Sequence, residues 1–353
     1  MDLLKKAIFA IATVSLLSGC QIGYLAKSAY SQANLLRRRI PVEDALKDSR
    51  LDSDQKRKLV LAQEARAFAE TELGLSKTKN YTSYVQLEGP YVTYVVNAAP
   101  KDELKPHLWK YPLVGSMPYK GFFEPKGAEE EAAALKAEGF DTYVRGVTAY
   151  STLGWFRDPI LSSMLTYKDH DLVDTIIHET VHATIFVKSE ADFNERLATF
   201  IGNKGTEAFY KKREGDASPT LKTIKADSVD QKIFGEFMKR ELDSLEAWYK
   251  ERKEKGLAFT EEERVARIKA IQEHFLSDVK PKLEQKDSYS KFETAELNNA
   301  RLLNYRLYFE DLSQFEKVFV KLGSDFAKML AYCKSLEKSD DPVADLKRKA
   351  DEP

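Results

Sequence analysis

Apolar positions near the N-terminus run together instead of alternating. Lys5 and Lys6 precede a mostly apolar stretch from Ala7 to Leu17, which ends in Ser18-Gly19-Cys20. About eleven residues are too few for a bilayer-spanning helix, which needs about 20. The order of positive, apolar and small residues is that of a secretion signal. From Ile22 to Leu75 the spacing becomes helical: Tyr24, Leu25, Tyr30, Leu35 and Leu36 lead into Arg37-Arg38-Arg39, Pro41 predicts a break, and a second amphipathic stretch covers Ser53 to Leu73. Between Tyr81 and Phe123 the period shortens. Tyr84-Val85-Gln86-Leu87 and Tyr91-Val92-Thr93-Tyr94-Val95-Val96 flank Gly89-Pro90 and predict a hairpin or meander. Ala128 to Gly139 reads as a helix ended by glycine, and Asp141 to Tyr150 alternates as a strand.

From Leu161 onward the pattern is helical. Residues 207–290 are densely charged, with apolar positions at Ile233, Phe234, Phe237, Leu242, Leu245 and Trp248, which predicts long helices paired through a turn near Gly256. Further helices are expected from Thr294 to Leu336, and the polar residues after Ser339 read as a frayed tail. The fold class expected is α+β, predominantly helical, with a small mixed β-sheet ahead of the helical region. The organisation expected is a signal peptide at 1–19, a helical segment at 20–80, a β-rich region at 81–160, a helical catalytic region at 161–338 and a disordered tail at 339–353, with 20–338 able to form one domain.

Composition narrows the function. The chain has 353 residues, 43% of them hydrophobic, enough to bury a core without staples. Its 55 Lys+Arg and 56 Asp+Glu leave a formal net charge of -1, which excludes the basic footprint of a nucleic-acid binder. Five histidines and two cysteines exclude a disulfide framework and leave few candidates for any metal site. Leu17-Ser18-Gly19-Cys20 resembles the bacterial lipobox, which implies cleavage before Cys20 and a lipid on that residue as the membrane anchor. Gln21 in place of Asp then implies the outer membrane, facing the periplasm. The three arginines at 37–39 read as a solvated face, and Cys333 as a small core residue.

The chemistry lies in Asp174-Thr175-Ile176-Ile177-His178-Glu179-Thr180-Val181-His182-Ala183-Thr184, an H-E-x-x-H inside an apolar, helix-length segment. Histidines one turn apart share a helix face and reach one metal, while Glu179 projects toward a metal-bound water. A hydrolytic zinc needs a third protein ligand, and Glu190, Asp192 and Glu195 all follow within reach. A metzincin is excluded, because Ile185 and Lys188 stand where its Gly and His would be. Asn194-Glu195-Arg196-Leu197-Ala198 resembles the N-E-x-x-A helix of gluzincins, and the resemblance selects Glu195 as the third ligand to one Zn²⁺ per chain, on a second helix packed against the first. Twelve residues separate His182 from Glu195, so the connection must be tight. Thermolysin-like sites carry an Asp four residues after the ligand Glu to orient a histidine. This chain has Thr199 there, so the orienting acceptor must come from elsewhere. His107, His170 and His274 have no ligand spacing.

Tyr150-Ser151-Thr152-Leu153-Gly154-Trp155-Phe156-Arg157-Asp158-Pro159 before the motif, Phe193-Asn194-Glu195 after it, Pro118-Tyr119-Lys120-Gly121-Phe122-Phe123 and Asn298-Asn299-Ala300-Arg301-Leu302 together resemble a bacterial family of predicted zinc aminopeptidases, typically secreted or lipid-anchored. The resemblance implies a lipid-anchored zinc metallopeptidase that acts on peptide substrates, with Glu179 as general base. Among Tyr150, Tyr305 and Tyr308, the resemblance implies Tyr308 as a donor to the developing oxyanion, because its spacing after Asn299-Ala300 is similar to the family pattern. Tyr150 to Gly154 is where zincins place an edge strand that pairs with extended substrate, and Arg157 is a candidate for a substrate terminus. A Gly-x-Met-Glu-Asn signature for the substrate ammonium is absent, so endo- and exopeptidase action both stay open. The alternative reading is a catalytically silent envelope lipoprotein that keeps zinc for structure. Glu179 argues against it, because a structural site needs no general base.

Overall fold

The computed structural model describes residues 23–111, 115–150, 157–188, 190–306 and 312–352. Helix α1 (residues 23–37) starts the described chain. Tyr24 donates its hydroxyl to Gly121 O at 2.7 Å, Arg38 pairs with Glu88, and Arg39 donates to the carbonyls of Leu36 and Arg157, so two of the three arginines are committed to protein acceptors. After β1 (Ile40–Pro41) and α2 (Val42–Ala45), α3 (Ser53–Thr71) begins at a reciprocal cap: Asp52 accepts from Gln55 N, and the Gln55 side chain accepts from Asp52 N. Its buried stripe of Ala62, Ala65 and Ala69 is small enough to let another helix approach closely.

Next come β2 (Ser83–Val85), β3 (Thr93–Ala99), β4 (Trp109–Tyr111), β5 (Gly115–Met117), β6 (Lys120–Phe122), α4 (Pro125–Ala137), β7 (Asp141–Val147) and β8 (Ile160–Leu161). The hairpin expected across Gly89-Pro90 does not form. Strand β2 pairs antiparallel with β1 and parallel with β8, while β3 is the centre of a separate antiparallel sheet between β6 and β7. The reason lies in burial. Both Tyr84 and Val85 are buried, so β2 is enclosed between two partners and offers no edge to β3. Helix α4 begins with Pro125, closes at Gly139 with φ 93, and covers one face of the β3 sheet with Ala128, Ala132 and Leu135 against Val96 and Ala98.

The remainder is helical: α5 (Asp169–His182), α6 (Ala191–Glu214), α7 (Pro219–Glu254), α8 (Glu261–His274), α9 (Ser290–Glu293), α10 (Asn299–Arg306), α11 (Ser313–Lys321), α12 (Phe326–Ser335) and α13 (Pro342–Asp351). The turn between α7 and α8 contains Gly256 at φ 62, as the charge pattern predicted. The frayed tail is also corrected. Asp341 caps α13, Pro342 opens it, and Leu346 and Ala350 are buried, so a sparse apolar stripe in a polar segment suffices once α11 is there to receive it.

The largest core gathers Leu59, Ala62 and Ala65 of α3, Ile176 and Ile177 of α5, Leu197 and Ile201 of α6 and Phe315 of α11. A second core is aromatic: Phe234, Phe237, Phe275 and Phe292 interlock, and Tyr289 stacks on Phe234 with ring centroids 3.9 Å apart. Arg264, buried on α8, donates to Asp141 of β7 at 2.7 Å, and Asp141 also accepts from Asn299 N, which ties β7, α8 and α10 together. Helix α10 lies on the β3 sheet through Asn298, which donates to Thr142 O, and Arg301, whose guanidinium covers the Tyr143 ring. Among the described residues no helix is long and apolar enough to cross a membrane.

Candidate metal centre

Helix α5 is held at both ends. Asp169 in its first turn suits the positive end of the helix dipole and accepts from Arg57 of α3 at 2.8 Å. At the other end Thr184 accepts from Ser76 N, fastening the helix to the chain after α3. Leu172, Val173, Ile176, Ile177 and Val181 form the buried face, and His178 and His182 turn toward Glu195 of α6. The tight connection predicted before Glu195 is closed by Asn194. Its amide accepts from Val187 N at 2.9 Å and donates to Val187 O at 2.7 Å, both inside the protein.

Contacts between the two helices run in opposite senses along the chain, so they are antiparallel: His182 and His178 meet Glu195, Asp174 and His178 meet Gly202, and Ile177 meets Gly205. The glycines set the separation. A Cβ at 202 would stand 2.8 Å from Asp174 Oδ1 and 3.4 Å from His178 Cβ, and one at 205 would stand 2.7 Å from Leu73 Cδ1.

The Nε2 atoms of His178 and His182 are 3.2 Å apart, and each is 3.5 Å from a different oxygen of Glu195. This is the group of ligand atoms among the described residues that could hold a metal ion. Zinc bonds of about 2.0–2.2 Å in tetrahedral arrangement separate neighbouring ligand atoms by about 3.3–3.5 Å. The histidine nitrogens stand close to that spacing, and one carboxylate oxygen of Glu195 faces each of them, an arrangement loosely compatible with zinc. Burial alone would raise the Glu195 carboxyl, but hydrogen bonds from His178 and His182 hold it well below the usual carboxylate range. Burial would lower His178, yet Glu195, Glu179 and Asp174 around it raise it. His182 is buried, and its Nδ1 has no hydrogen-bond partner among the described residues.

Three further groups are coupled electrostatically to this centre, and the sequence assigned none of them a role in it. Tyr81 is buried with its backbone at φ 60, held by its own N–H to Asp158 O and by Gln63 on its carbonyl. Its phenol is pushed up by burial and then by the charges of Glu179 and Asp158. Tyr119, after β5, is raised by burial and by the charge of Glu195, with Arg145 acting the other way. Asp174 Oδ1 is buried beside His178 with no hydrogen-bond partner among the described residues, and burial pushes this carboxyl up to about 6. The sequence carried a signal for Asp174, because Asp-x-x-x-His places it one turn before His178 on the same face. Tyr119 lay in the Pro118 to Phe123 block that carried the family resemblance, without a role of its own, and for Tyr81, far away in the chain, the sequence carried no signal.

Of the other candidates, Tyr150 hydrogen-bonds Gln32 of α1 and packs edge-on against Phe123, and Arg157 is exposed with its carbonyl accepting from Arg39. Glu190 occupies the N-cap position of α6 and Asp192 its first turn, and neither joins the group of three. Tyr305 packs on Phe234 and Phe292 in the second core, and His170 pairs with Asp227. Cys20, Ser151 to Phe156 and Tyr308 lie outside the described residues.

No curated protein and no solved structure matches the chain. A family model does, over residues 23–348, and by that match the chain belongs to the family described as putative aminopeptidases.

Proposed function

We propose that this chain is a zinc-dependent metallopeptidase of gluzincin type, acting as an aminopeptidase, and that a lipid on Cys20 holds it in the bacterial envelope at the periplasmic face of the outer membrane. The observation that carries the catalytic part is the convergence of His178, His182 and Glu195, with the two Nε2 atoms 3.2 Å apart and a Glu195 oxygen 3.5 Å from each, and with Glu179 next in sequence to the first histidine. Family membership supports peptide hydrolysis. His178, His182 and Glu195 would hold one Zn²⁺, which when bound polarises a peptide carbonyl and makes water acidic enough to deprotonate near neutral pH. Glu179 takes the proton of the attacking water and delivers it to the leaving amine. Negative charge that develops on the carbonyl oxygen needs a donor, and Tyr308 fills that role in this reading, with Tyr150 and Arg157 contacting substrate.

Glu179→Gln keeps the three donors and removes the base. It should retain about one zinc per chain and lose at least about 100-fold in peptide hydrolysis. The purified protein, with zinc and with chelator, is incubated with a mixed peptide library and the products are read by mass spectrometry. Zinc-dependent loss of single N-terminal residues supports the proposal, internal cuts replace the aminopeptidase assignment with an endopeptidase, and full activity in Glu179→Gln rejects the mechanism. Cys20→Ala should move the expressed protein from the membrane fraction to the soluble one.

A further inference from the structure

A metal-bound histidine almost always donates its second ring N–H to a carboxylate or carbonyl, which fixes its tautomer and orientation. Thr199, one turn after Glu195, cannot supply a carboxylate. We propose that Asp174 is the positioning residue for His178, accepting from Nδ1–H while Nε2 faces Glu195 and His182.

Three observations place it there. Asp174 lies one turn before His178 on α5, and helical side chains lean toward the N-terminus, so the imidazole tilts over the turn that carries this carboxyl. The Asp174 carboxyl and the His178 Cβ both pack against Gly202 of α6, within 2.8 Å and 3.4 Å of where a side chain would begin, so the missing side chain at 202 is the slot the carboxyl occupies. Within that slot Asp174 Oδ1 is buried and has no donor among the described residues, a costly state for a carboxyl unless a donor is offered when the site is assembled. His178 has its Nε2 engaged with the other two ligands, which leaves Nδ1 as the ring nitrogen able to be that donor. His182 lacks an equivalent acceptor for its own Nδ1 among the described residues, so the two histidines are supported unequally.

The inference rests on the metal-site reading and is tested apart from it. Zinc affinity of the full chain is measured by competition with a chromogenic chelator, and the cobalt-substituted protein is examined by its visible absorption at saturating metal. The wild type should bind one zinc. Asp174→Asn, nearly identical in shape but a weaker acceptor, should bind zinc about 10-fold more weakly, and Asp174→Ala about 100-fold more weakly, both with an altered cobalt spectrum. Gly202→Ala, which keeps the carboxylate but intrudes on its slot, should weaken zinc in the same direction. If Asp174→Ala fails to fold, Asp174→Asn, checked by far-ultraviolet circular dichroism, decides alone. A side chain that only fills space would leave Asp174→Asn within about twofold of wild type with an unchanged cobalt spectrum, and that result overturns the assignment while leaving the metal site standing. A wild type that binds no zinc overturns both.

Discussion

Asp174→Asn should stabilise the metal-free protein, and do so only at higher pH. Burial pushes this carboxyl up from 3.8 to about 6, with the charge of His178 offsetting part of the effect. A carboxyl whose pKa rises on folding binds its proton more tightly in the folded state. The stability it contributes is therefore fully present below about pH 3.8 and is lost as pH rises through about 6. A shift of about two units corresponds to about 3 kcal/mol, the cost of keeping the ionised group in its slot near pH 8. Asparagine never ionises and escapes that cost. In a chain of this size the difference amounts to about 5 °C in melting temperature, with the variant gaining on wild type between pH 4 and pH 8. Unfolding of both proteins by urea and by heat, in chelator and at each pH, measures it. A difference that stays constant with pH, or one in which wild type gains toward pH 8, would refute the reasoning. With zinc at saturation the advantage of the variant near pH 8 should shrink by about 1.4 kcal/mol, the equivalent of its tenfold weaker affinity, so one side chain exchanges stability of the empty protein for affinity of the loaded one.

Other expectations follow from single contacts. Asn194→Ala leaves the N–H of Val187 unpaired inside the protein, its carbonyl keeping Glu190 N as donor, and should cost about 1–3 kcal/mol in denaturant unfolding. A smaller loss would mean that the connection before α6 does not depend on this side chain. Arg264→Met strands the buried Asp141 and should cost about 3–5 kcal/mol, with Asp141→Asn in the same background recovering part of it; absence of recovery would show the two are not coupled. Tyr119→Phe removes a hydroxyl that stands in the field of Glu195 and should lower kcat about tenfold with little change in KM, whereas an unchanged kcat assigns Tyr119 to packing alone.

What the sequence by itself determined is what depends on near neighbours. The His178, Glu179, His182 constellation needs only the helical repeat, the caps of α3 and α4 need only adjacent residues, and the turn at Gly256 needs only a residue that tolerates positive φ. Asn194-Glu195 was legible as a pair, although the clamp that Asn194 places on Val187 was not. Tertiary structure decided the rest. Strand β2 chose β8 over β3 because enclosing Tyr84 and Val85 on both sides needs a partner from 76 residues away, a choice no local propensity encodes. Helix α13 exists because α11 offers a surface for Leu346 and Ala350. Asp174 was visible in the chain as one more acid on a helix. Only the approach of Gly202 buried its oxygen beside His178, and the distance between two helices, set by which residues lack a side chain, is what turned a solvated charge into a candidate part of the metal centre.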